Sequence, residues 1–175
     1  YHTGGWYQDI MFGVGFKCKS ISYAPSCSMD SLTEKQAEYL RRILDGMTAI
    51  STRESKFKDL LQPLTHKEIS VVVDPTILAG RDAFEKIAAP IDCRRPYVLV
   101  YEIKHHDDVY RIATELAEQL NADVVELTNG MLGYHRKTMK EGASPEEFLG
   151  YFKNALCVVT TSFHGTVFSI LFNRP

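Results

Sequence analysis

Two residues of this sequence stand out for the chemistry they can do, and each follows a short apolar run. Arg53 comes after residues 48–52, and a guanidinium there can hold a phosphate or carboxylate through parallel hydrogen bonds. His164 comes shortly after residues 157–160, and an imidazole can give or take a proton near neutral pH. Both are therefore our candidates for an active site.

Hydroxyl groups and a glycine surround His164. Ser162, Gly165 and Thr166 lie between an apolar strand pattern and an apolar helix pattern, where unpaired helix amides suit an anionic ligand. Gly165 would let a ligand or the backbone approach closely. Ordinary helix capping, with His164 in a polar slot, explains the same pattern, and the spacing alone favours neither interpretation.

Two carboxylates are candidate partners of Arg53. Asp74 can orient the guanidinium or accept a hydrogen bond from a sugar hydroxyl, and Glu54 adjoins Arg53 in the sequence. A purely structural ion pair of Arg53 with either carboxylate is the competing interpretation. For Asp74, the following Pro75 favours simple turn chemistry at the end of a strand.

Composition narrows the class of protein. The net charge of -2 and the pI near 6.3 give no indication of nucleic-acid binding. The four cysteines lack metal-ligand spacing, and we expect reduced thiols and no metal or cofactor, with a Cys18–Cys27 disulfide as the alternative. No apolar run is long enough to span a bilayer, so we predict a cytoplasmic protein.

Alternating strand and helix patterns must position these residues. Strands are predicted at 20–24, 48–52, 69–73, 97–103, 124–127 and 157–160, with 69–73 as a buried strand, and a loop is predicted from Asn129 to Gly142. Helices are predicted after a capping box of Ser31 and Glu34, after Arg53, from about Asp107 to Leu120, after a cap at Ser144, and from Thr166 to Phe172. This alternation predicts an α/β fold with parallel sheets and crossover helices.

Two lobes are predicted within this fold. We place them at residues 1–90 and 97–175, with a charged, proline-containing linker at 80–96. Both ends look cut, and we expect a truncated portion of a longer protein.

Four motifs occur in an order that resembles the polysaccharide pyruvyl transferase family. They are Ile21-Ser22-Tyr23-Ala24-Pro25-Ser26, Ile50-Ser51-Thr52-Arg53-Glu54, Val73-Asp74-Pro75-Thr76 and Ser162-Phe163-His164-Gly165-Thr166-Val167-Phe168-Ser169. The resemblance implies two Rossmann-like lobes facing a cleft, similar to the GT-B glycosyltransferase architecture. It also implies transfer of the enolpyruvyl carbons of phosphoenolpyruvate onto two sugar hydroxyls, which gives a cyclic pyruvate ketal.

The resemblance also implies roles for single residues. The family's motif arginine matches Arg53, which would bind the phosphate or carboxylate of the donor, and its motif histidine matches His164, which would act as general acid or base. We expect Glu54, Asp74, Ser162, Gly165 and Thr166 to complete the substrate-binding residues. Family members often carry a second arginine two positions before the histidine, where this chain has Ser162. The basic stretch at residues 134–137 is a candidate for replacement charge.

Two other functions fit the same sequence. A glycosyltransferase of the same plan would use a nucleotide sugar, and Glu126 is then the candidate carboxylate for its ribose. A carbohydrate-binding remnant of the fold would need neither Arg53 nor His164. The acceptor sugar, its linkage and the oligomeric state are not readable from the sequence.

Overall fold

The computed structural model describes residues 12–104, 106–128 and 136–175, and strands and helices alternate through these ranges. Contacts divide the chain into two compact units, Tyr1–Pro75 and Thr76–Pro175. Each unit contains a parallel sheet with helices packed against it, so the predicted α/β fold with two Rossmann-like lobes is confirmed. Among the described residues, no helix combines the length and apolar character needed to cross a membrane.

The first unit is built on a three-stranded parallel sheet in the order β1-β2-β3. Its elements are β1 (Ile21–Ser22), α1 (Glu34–Gly46), β2 (Ala49–Thr52), α2 (Ser55–Leu61) and β3 (Ile69–Val71). The helices and strands share one apolar core, which consists of Ile43, Leu44, Met47, Ile50, Phe57, Leu61 and Ile69. This core holds the carboxyl ends of β2 and β3 side by side, with Thr52 opposite Val71.

The start of α1 differs from the prediction. The predicted cap was Ser31 with Glu34, but Thr33 is the N-cap, and its hydroxyl accepts a hydrogen bond from the Gln36 amide at 3.3 Å. The Gln36 side chain accepts in return from the Thr33 amide at 2.9 Å. Ser31 with Glu34 and Thr33 with Gln36 both have the spacing of a capping box, and the structure forms the box of Thr33 with Gln36.

The strand predicted at 69–73 was expected to be buried, and this expectation was wrong beyond its first residue. Ile69 is fully buried, but Val71 and Val73 are 47% and 49% exposed. The strand lies at the edge of the described sheet, where only one neighbouring strand covers it. A β-branched run is favoured in both settings, so composition did not distinguish them.

The second unit is built on a four-stranded parallel sheet in the order β6-β5-β4-β7. Its strands are β4 (Tyr97–Tyr101), β5 (Asp123–Thr128), β6 (Met139–Glu141) and β7 (Cys157–Thr160). The helices are α3 (Pro75–Ile87, which begins at the boundary), α4 (Asp107–Gln119), α5 (Pro145–Asn154) and α6 (Phe163–Leu171). One sheet face packs on an aromatic cluster around Phe152, and the other packs on α4 through Val109, Ala113 and Ala117.

Two elements of the second unit were predicted differently. The loop predicted from Asn129 to Gly142 contains β6, which pairs with β5 in parallel; residues 129–135 of that loop lie outside the described residues. Helix α6 begins at Phe163, and not at Thr166, because Ser162 caps it. His164, Gly165 and Thr166 therefore belong to the first helical turn.

The predicted linker at 80–96 overlaps α3. Gly80 interrupts this helix with a left-handed φ of 73°, and the helix continues to Ile87. Phe84, Ala88 and Cys93 pack against the core of the second unit. The assignment of lobes to 1–90 and 97–175 stays a prediction.

Candidate functional site

Three loops meet at the carboxyl ends of the first sheet. The Arg53 amide, just after β2, donates a hydrogen bond to the Pro25 carbonyl at 3.0 Å. The Ser26 hydroxyl donates to Oε1 of Glu54 at 2.7 Å. These two hydrogen bonds connect the loops after β1 and β2 at the carboxyl ends of the strands, where ligands of parallel sheets usually bind.

The guanidinium of Arg53 is held by two carboxylates. Its Nη1 donates to Oδ2 of Asp74 at 2.8 Å, and its Nε donates to Oε1 of Glu54 at 2.9 Å. The Asp74 side chain is 5% exposed, while that of Glu54 is 38% exposed. Both ion pairs considered in the sequence analysis are therefore present, and they bring Arg53, Glu54 and Asp74 into one cluster.

These contacts favour the charged forms of Arg53 and Glu54. Burial opposes ionisation of Glu54, but hydrogen bonds from Arg53 and Ser26 and the positive charge of Arg53 outweigh it and hold the pKa of Glu54 below its usual value. Burial likewise opposes the charge of Arg53, yet its contacts with Glu54 and Asp74 raise the pKa of Arg53 further. The arginine is therefore a fixed cation with defined orientation.

A buried serine below this cluster was not singled out by the sequence. The Ser51 hydroxyl donates to the Ser22 carbonyl at 2.8 Å and accepts from the Ala24 amide at 3.1 Å. Ala24 has a left-handed φ of 52°, which is strained for a residue with a side chain. Ser51 thus fixes the turn that places Pro25 against Arg53. The sequence signals for Ser51 were a hydroxyl inside a strand pattern and its place in the motif Ile50-Ser51-Thr52-Arg53-Glu54, in which the serine was assigned no role.

The second cluster lies at the first turn of α6. Ser162 is 2% exposed, and its hydroxyl accepts from the Gly165 amide at 3.3 Å. The Thr166 hydroxyl donates to the Ser162 carbonyl at 3.2 Å. His164 is exposed in this turn, with its ring edge-on to that of Phe163 at 5.2 Å. Helix capping is therefore present, and it leaves the imidazole at the surface.

Gly165 is required by the packing of α6 onto β7. A Cβ atom at this position would lie 2.2 Å from Oγ1 of Thr160. That oxygen accepts from the Ser162 amide at 3.0 Å and donates to the Tyr101 carbonyl on β4. The glycine lets the helix start directly above the strand end, so that His164 lies close to the end of β7.

The histidine lies where the strand order of the second sheet reverses. The chain runs outward from β4 through β5 to β6, and then returns to place β7 on the other side of β4. Tyr101 and Thr160 are neighbours at the carboxyl ends of these two strands. In doubly wound sheets, the crevice at such a reversal is the usual ligand site.

Glu102 borders the same crevice and was missed by the sequence analysis. It directly follows β4, is 5% exposed, and its carboxylate accepts from the His106 amide at the start of α4 at 3.0 Å. The predicted strand extended to residue 103 and therefore included Glu102, whereas β4 ends at Tyr101. An acid near the end of an apolar strand pattern was the available signal. His106 is the N-cap of α4, whereas Asp107 and Asp108 lie in its first turn.

Glu126, the candidate ribose ligand, is already engaged. It is 3% exposed, accepts from Nη1 of Arg136 at 2.8 Å, and accepts from the Thr138 hydroxyl. Arg136 in turn lies 3.8 Å over the ring of Tyr110. Of the basic stretch at 134–137, Tyr134 and His135 lie outside the described residues, and the charge of Arg136 is directed to Glu126.

The predicted site residues fall into two groups, one within each unit. Arg53, Glu54 and Asp74 belong to the first unit, and Ser162, His164, Gly165 and Thr166 belong to the second. Within the described ranges, no group of three or more His, Cys, Asp or Glu side chains has the arrangement of a metal site.

Parallel sheets with polar residues at their carboxyl ends define an α/β protein of Rossmann-like plan. A family model described as Polysaccharide pyruvyl transferase matches residues 2–175. The chain therefore belongs to the polysaccharide pyruvyl transferase family, which is a family of enzymes. Neither a comparison with curated proteins nor one with solved structures finds a match.

Proposed function

We propose that this enzyme transfers a pyruvyl group from phosphoenolpyruvate to a sugar of a polysaccharide or its precursor and forms a cyclic ketal. The observation that carries the proposal is the family match over residues 2–175. In the structure, the motif histidine, His164, is exposed at the point where the strand order of the second sheet reverses. Phosphoenolpyruvate is a donor substrate here, and no further cofactor is part of the reaction.

The proposed reaction balances with proton transfers alone. Two acceptor oxygens form bonds to the central carbon of the donor, the carbon–oxygen bond to phosphate breaks, and the methylene carbon gains a proton to become methyl. The sugar loses two hydroxyl protons. One balances the proton that the methylene carbon gains, and the other leaves with phosphate. A general acid or base is needed for both transfers, and we assign this role to His164.

We assign binding of the donor's phosphate or carboxylate to Arg53. Its guanidinium is oriented by Asp74, whose side chain is nearly buried, and by Glu54, whose side chain is 38% exposed. Breaking the ion pair of Arg53 with the partly exposed Glu54 costs less free energy than breaking its pair with the buried Asp74. The donor therefore replaces Glu54 at the guanidinium and leaves Asp74 in place. Glu54 and Asp74 are then positioning residues for the arginine.

The serine at position 162 changes how the second unit can hold an anion. Ser162 is a buried N-cap, whereas family members often have an arginine there. The amides of the first turn of α6 and the imidazole of His164 remain as groups that favour an anion at this place. We propose that Ser162, Gly165 and Thr166 contribute by shaping this turn.

Titration calorimetry with phosphoenolpyruvate tests the assignment of Arg53. We expect Arg53→Ala to weaken donor binding at least tenfold, since it removes a charge-assisted pair of hydrogen bonds, while Arg81→Ala stays within twofold. Arg81 is the matched control because it is an exposed arginine that pairs with Glu85 on α3. Unchanged affinity in folded Arg53→Ala would contradict the assignment.

Turnover tests the assignment of His164. We expect His164→Ala to bind phosphoenolpyruvate within threefold of the wild type and to lower turnover by a factor of about 10² to 10⁴, the usual contribution of a general acid or base. Loss of binding without loss of maximal turnover would assign His164 to donor binding instead.

The two alternative functions predict other outcomes. Saturation by a nucleotide sugar, but not by phosphoenolpyruvate, would identify a glycosyltransferase; the engagement of Glu126 by Arg136 and Thr138 gives that function no support. Glycan binding that survives loss of both Arg53 and His164, without turnover, would identify a carbohydrate-binding remnant. The GT-B-like arrangement and the cytoplasmic location stay predictions.

A further inference from the structure

A groove runs along the outer edge of β5 in the second unit. Strand β6 pairs with β5 only over Glu126–Thr128, so in the described part of the chain the first half of β5 has no partner on that side. Two adjoining cavities of about 410 and 380 Å³ lie there. They share Asp123, Val124, Lys137 and Thr138 as lining residues, and therefore form one continuous groove.

One end of this groove is strongly basic. Four cations line the second cavity, namely Arg94, Arg95, Lys137 and Lys140. Asp123 also lines this cavity and pairs with Arg95 at 2.8 Å, and Glu118 lines the other cavity. This concentration of positive charge contrasts with the net charge of -2 of the whole chain. The groove therefore attracts anions by its local field.

The arrangement of the cations indicates the kind of anion. All four basic side chains are exposed, and they come from two segments of the chain, residues 94–95 and residues 137–140. Each exposed ion pair contributes little by itself and is screened by salt, so a small anion would be held weakly. A polymer with repeated charges can engage several of the cations at once, and its later contacts are effectively intramolecular.

The groove and His164 lie at opposite edges of the second sheet. Lys140 is on β6, the edge strand beside β5, whereas His164 follows β7, the edge strand on the other side of β4. Along the strands Lys140 is level with Tyr101 and Thr160, so three strand spacings of about 4.8 Å, roughly 14 Å, separate its backbone from β7. Arg95 precedes β4 and lies at the amino end of that strand. A ligand in the groove is therefore outside the reach of the reacting atoms.

We propose that this groove binds a carboxylate-bearing polysaccharide, as a docking site separate from the place of reaction. The identity of the polymer rests on the proposed function, since a polysaccharide acceptor and its pyruvylated product are the chains this enzyme would meet. Thr114 and Thr138 also line the groove. Their hydroxyls donate to the Tyr110 carbonyl and to the Glu126 carboxylate, so toward a sugar hydroxyl they can act as acceptors. The site holds glycan and contributes no catalytic residue.

Binding of oligogalacturonate to the full-length protein tests the proposal. We expect the affinity to fall more than tenfold between 50 and 300 mM salt, and more than tenfold in Lys137→Glu/Lys140→Glu at low salt. The matched control, Lys35→Glu/Lys86→Glu, makes the same charge change at exposed positions of α1 and α3 and should stay within twofold. A neutral oligosaccharide of equal length should bind at least tenfold more weakly than oligogalacturonate.

Other outcomes would overturn the proposal. An equal loss of affinity in the two double variants would show that overall charge is responsible, and equal binding of the neutral oligosaccharide would exclude charge recognition. Tighter binding of an RNA oligomer of equal length would assign the groove to nucleic acid. Phosphoenolpyruvate binding should be unchanged in the groove variant. If the wild type binds oligogalacturonate through these lysines but does not bind phosphoenolpyruvate, the groove stands and the proposed donor fails.

Discussion

Single residues at the carboxyl ends of the sheets serve both the fold and the proposed chemistry. Arg53 ties the end of β2 to the residues after β3 through Asp74, and Ser162 starts the helix that carries His164. A substitution at such a residue changes stability and binding together. Donor binding by variants must therefore be compared at matched degrees of folding, with an unfolding measurement beside each titration.

The carboxylate of Glu54 makes stability depend on acid. Its folded-state pKa lies below the ordinary value of 4.5, so it contributes stability that is fully present above that value and is lost as the pH falls through its folded pKa. We therefore expect the unfolding free energy to drop below about pH 4.5, and to drop less in Glu54→Gln. Urea unfolding at pH 7, 5, 4 and 3 measures this difference.

Glu38→Gln is the control for this experiment, because it makes the same chemical change at an exposed position of α1. It should retain the acid sensitivity of the wild type. If Glu54→Gln and Glu38→Gln lose stability in parallel on acidification, the ion pair with Arg53 is not the source of the effect.

At the scale of the elements, the two possible caps of α1 can be told apart by mutation. The Thr33 hydroxyl accepts from the Gln36 amide, so we expect Thr33→Ala to lower the unfolding free energy by about 1 kcal/mol. Ser31→Ala, at the capping position predicted from the sequence, should change it by no more than a few tenths. Urea denaturation of both variants decides between the caps. A larger effect of Ser31→Ala would restore the original prediction.

Helix α6 depends on the absence of a side chain at position 165. Since a Cβ there would lie 2.2 Å from Oγ1 of Thr160, Gly165→Ala must displace the first turn of α6 from β7. We expect a loss of about 1–3 kcal/mol in stability, as for overpacked cores, and a change in the NMR signals of His164. Thermal unfolding and imidazole chemical shifts measure the two effects.

Gly46→Ala is the counterpart to this variant, since nothing lies within 4 Å of a Cβ at the end of α1. It should leave stability unchanged or raise it by up to about 1 kcal/mol through helix propensity. A Gly165→Ala protein as stable as Gly46→Ala would show that α6 does not need close contact with Thr160.

At the scale of the whole molecule, each unit has a core made of its own residues. The first core lies within residues 43–69, while the second is centred on Phe152, which is fully buried and contacts the rings of Tyr101, Phe148 and Phe168. We expect Phe152→Ala to destabilise the second unit by about 3–5 kcal/mol. Hydrogen exchange read by mass spectrometry should show lost protection in residues 97–172 and unchanged protection in residues 43–69.

Leu61→Ala is the reciprocal variant, because Leu61 is 3% exposed in the first core. Its loss of protection should be confined to the first unit. If either variant weakens protection equally across the chain, the two units unfold as one cooperative body.

The sequence by itself determined the alternation of strands and helices, the parallel sheets, the cap at Ser144 and the membership of a family. Each of these depends on residues within a few positions of one another, or on motif order along the chain. The register of apolar residues sets which face of a helix is buried, and a serine followed three residues later by glutamate can satisfy the first amides of α5 without help from elsewhere.

Only the tertiary structure decided which polar groups meet. Arg53 and Asp74 are 21 residues apart, and Thr160 reaches a carbonyl 59 residues away on β4. The partner of Glu126, the exposure of Val71, the short strand β6 and the basic groove beside it all depend on strand order. Several strand orders are compatible with the same local patterns, because a strand's own residues specify its alternation but not its neighbour. The packing of the helices on each sheet determines which strand order forms, and the strand order determines which side chains meet at the candidate site.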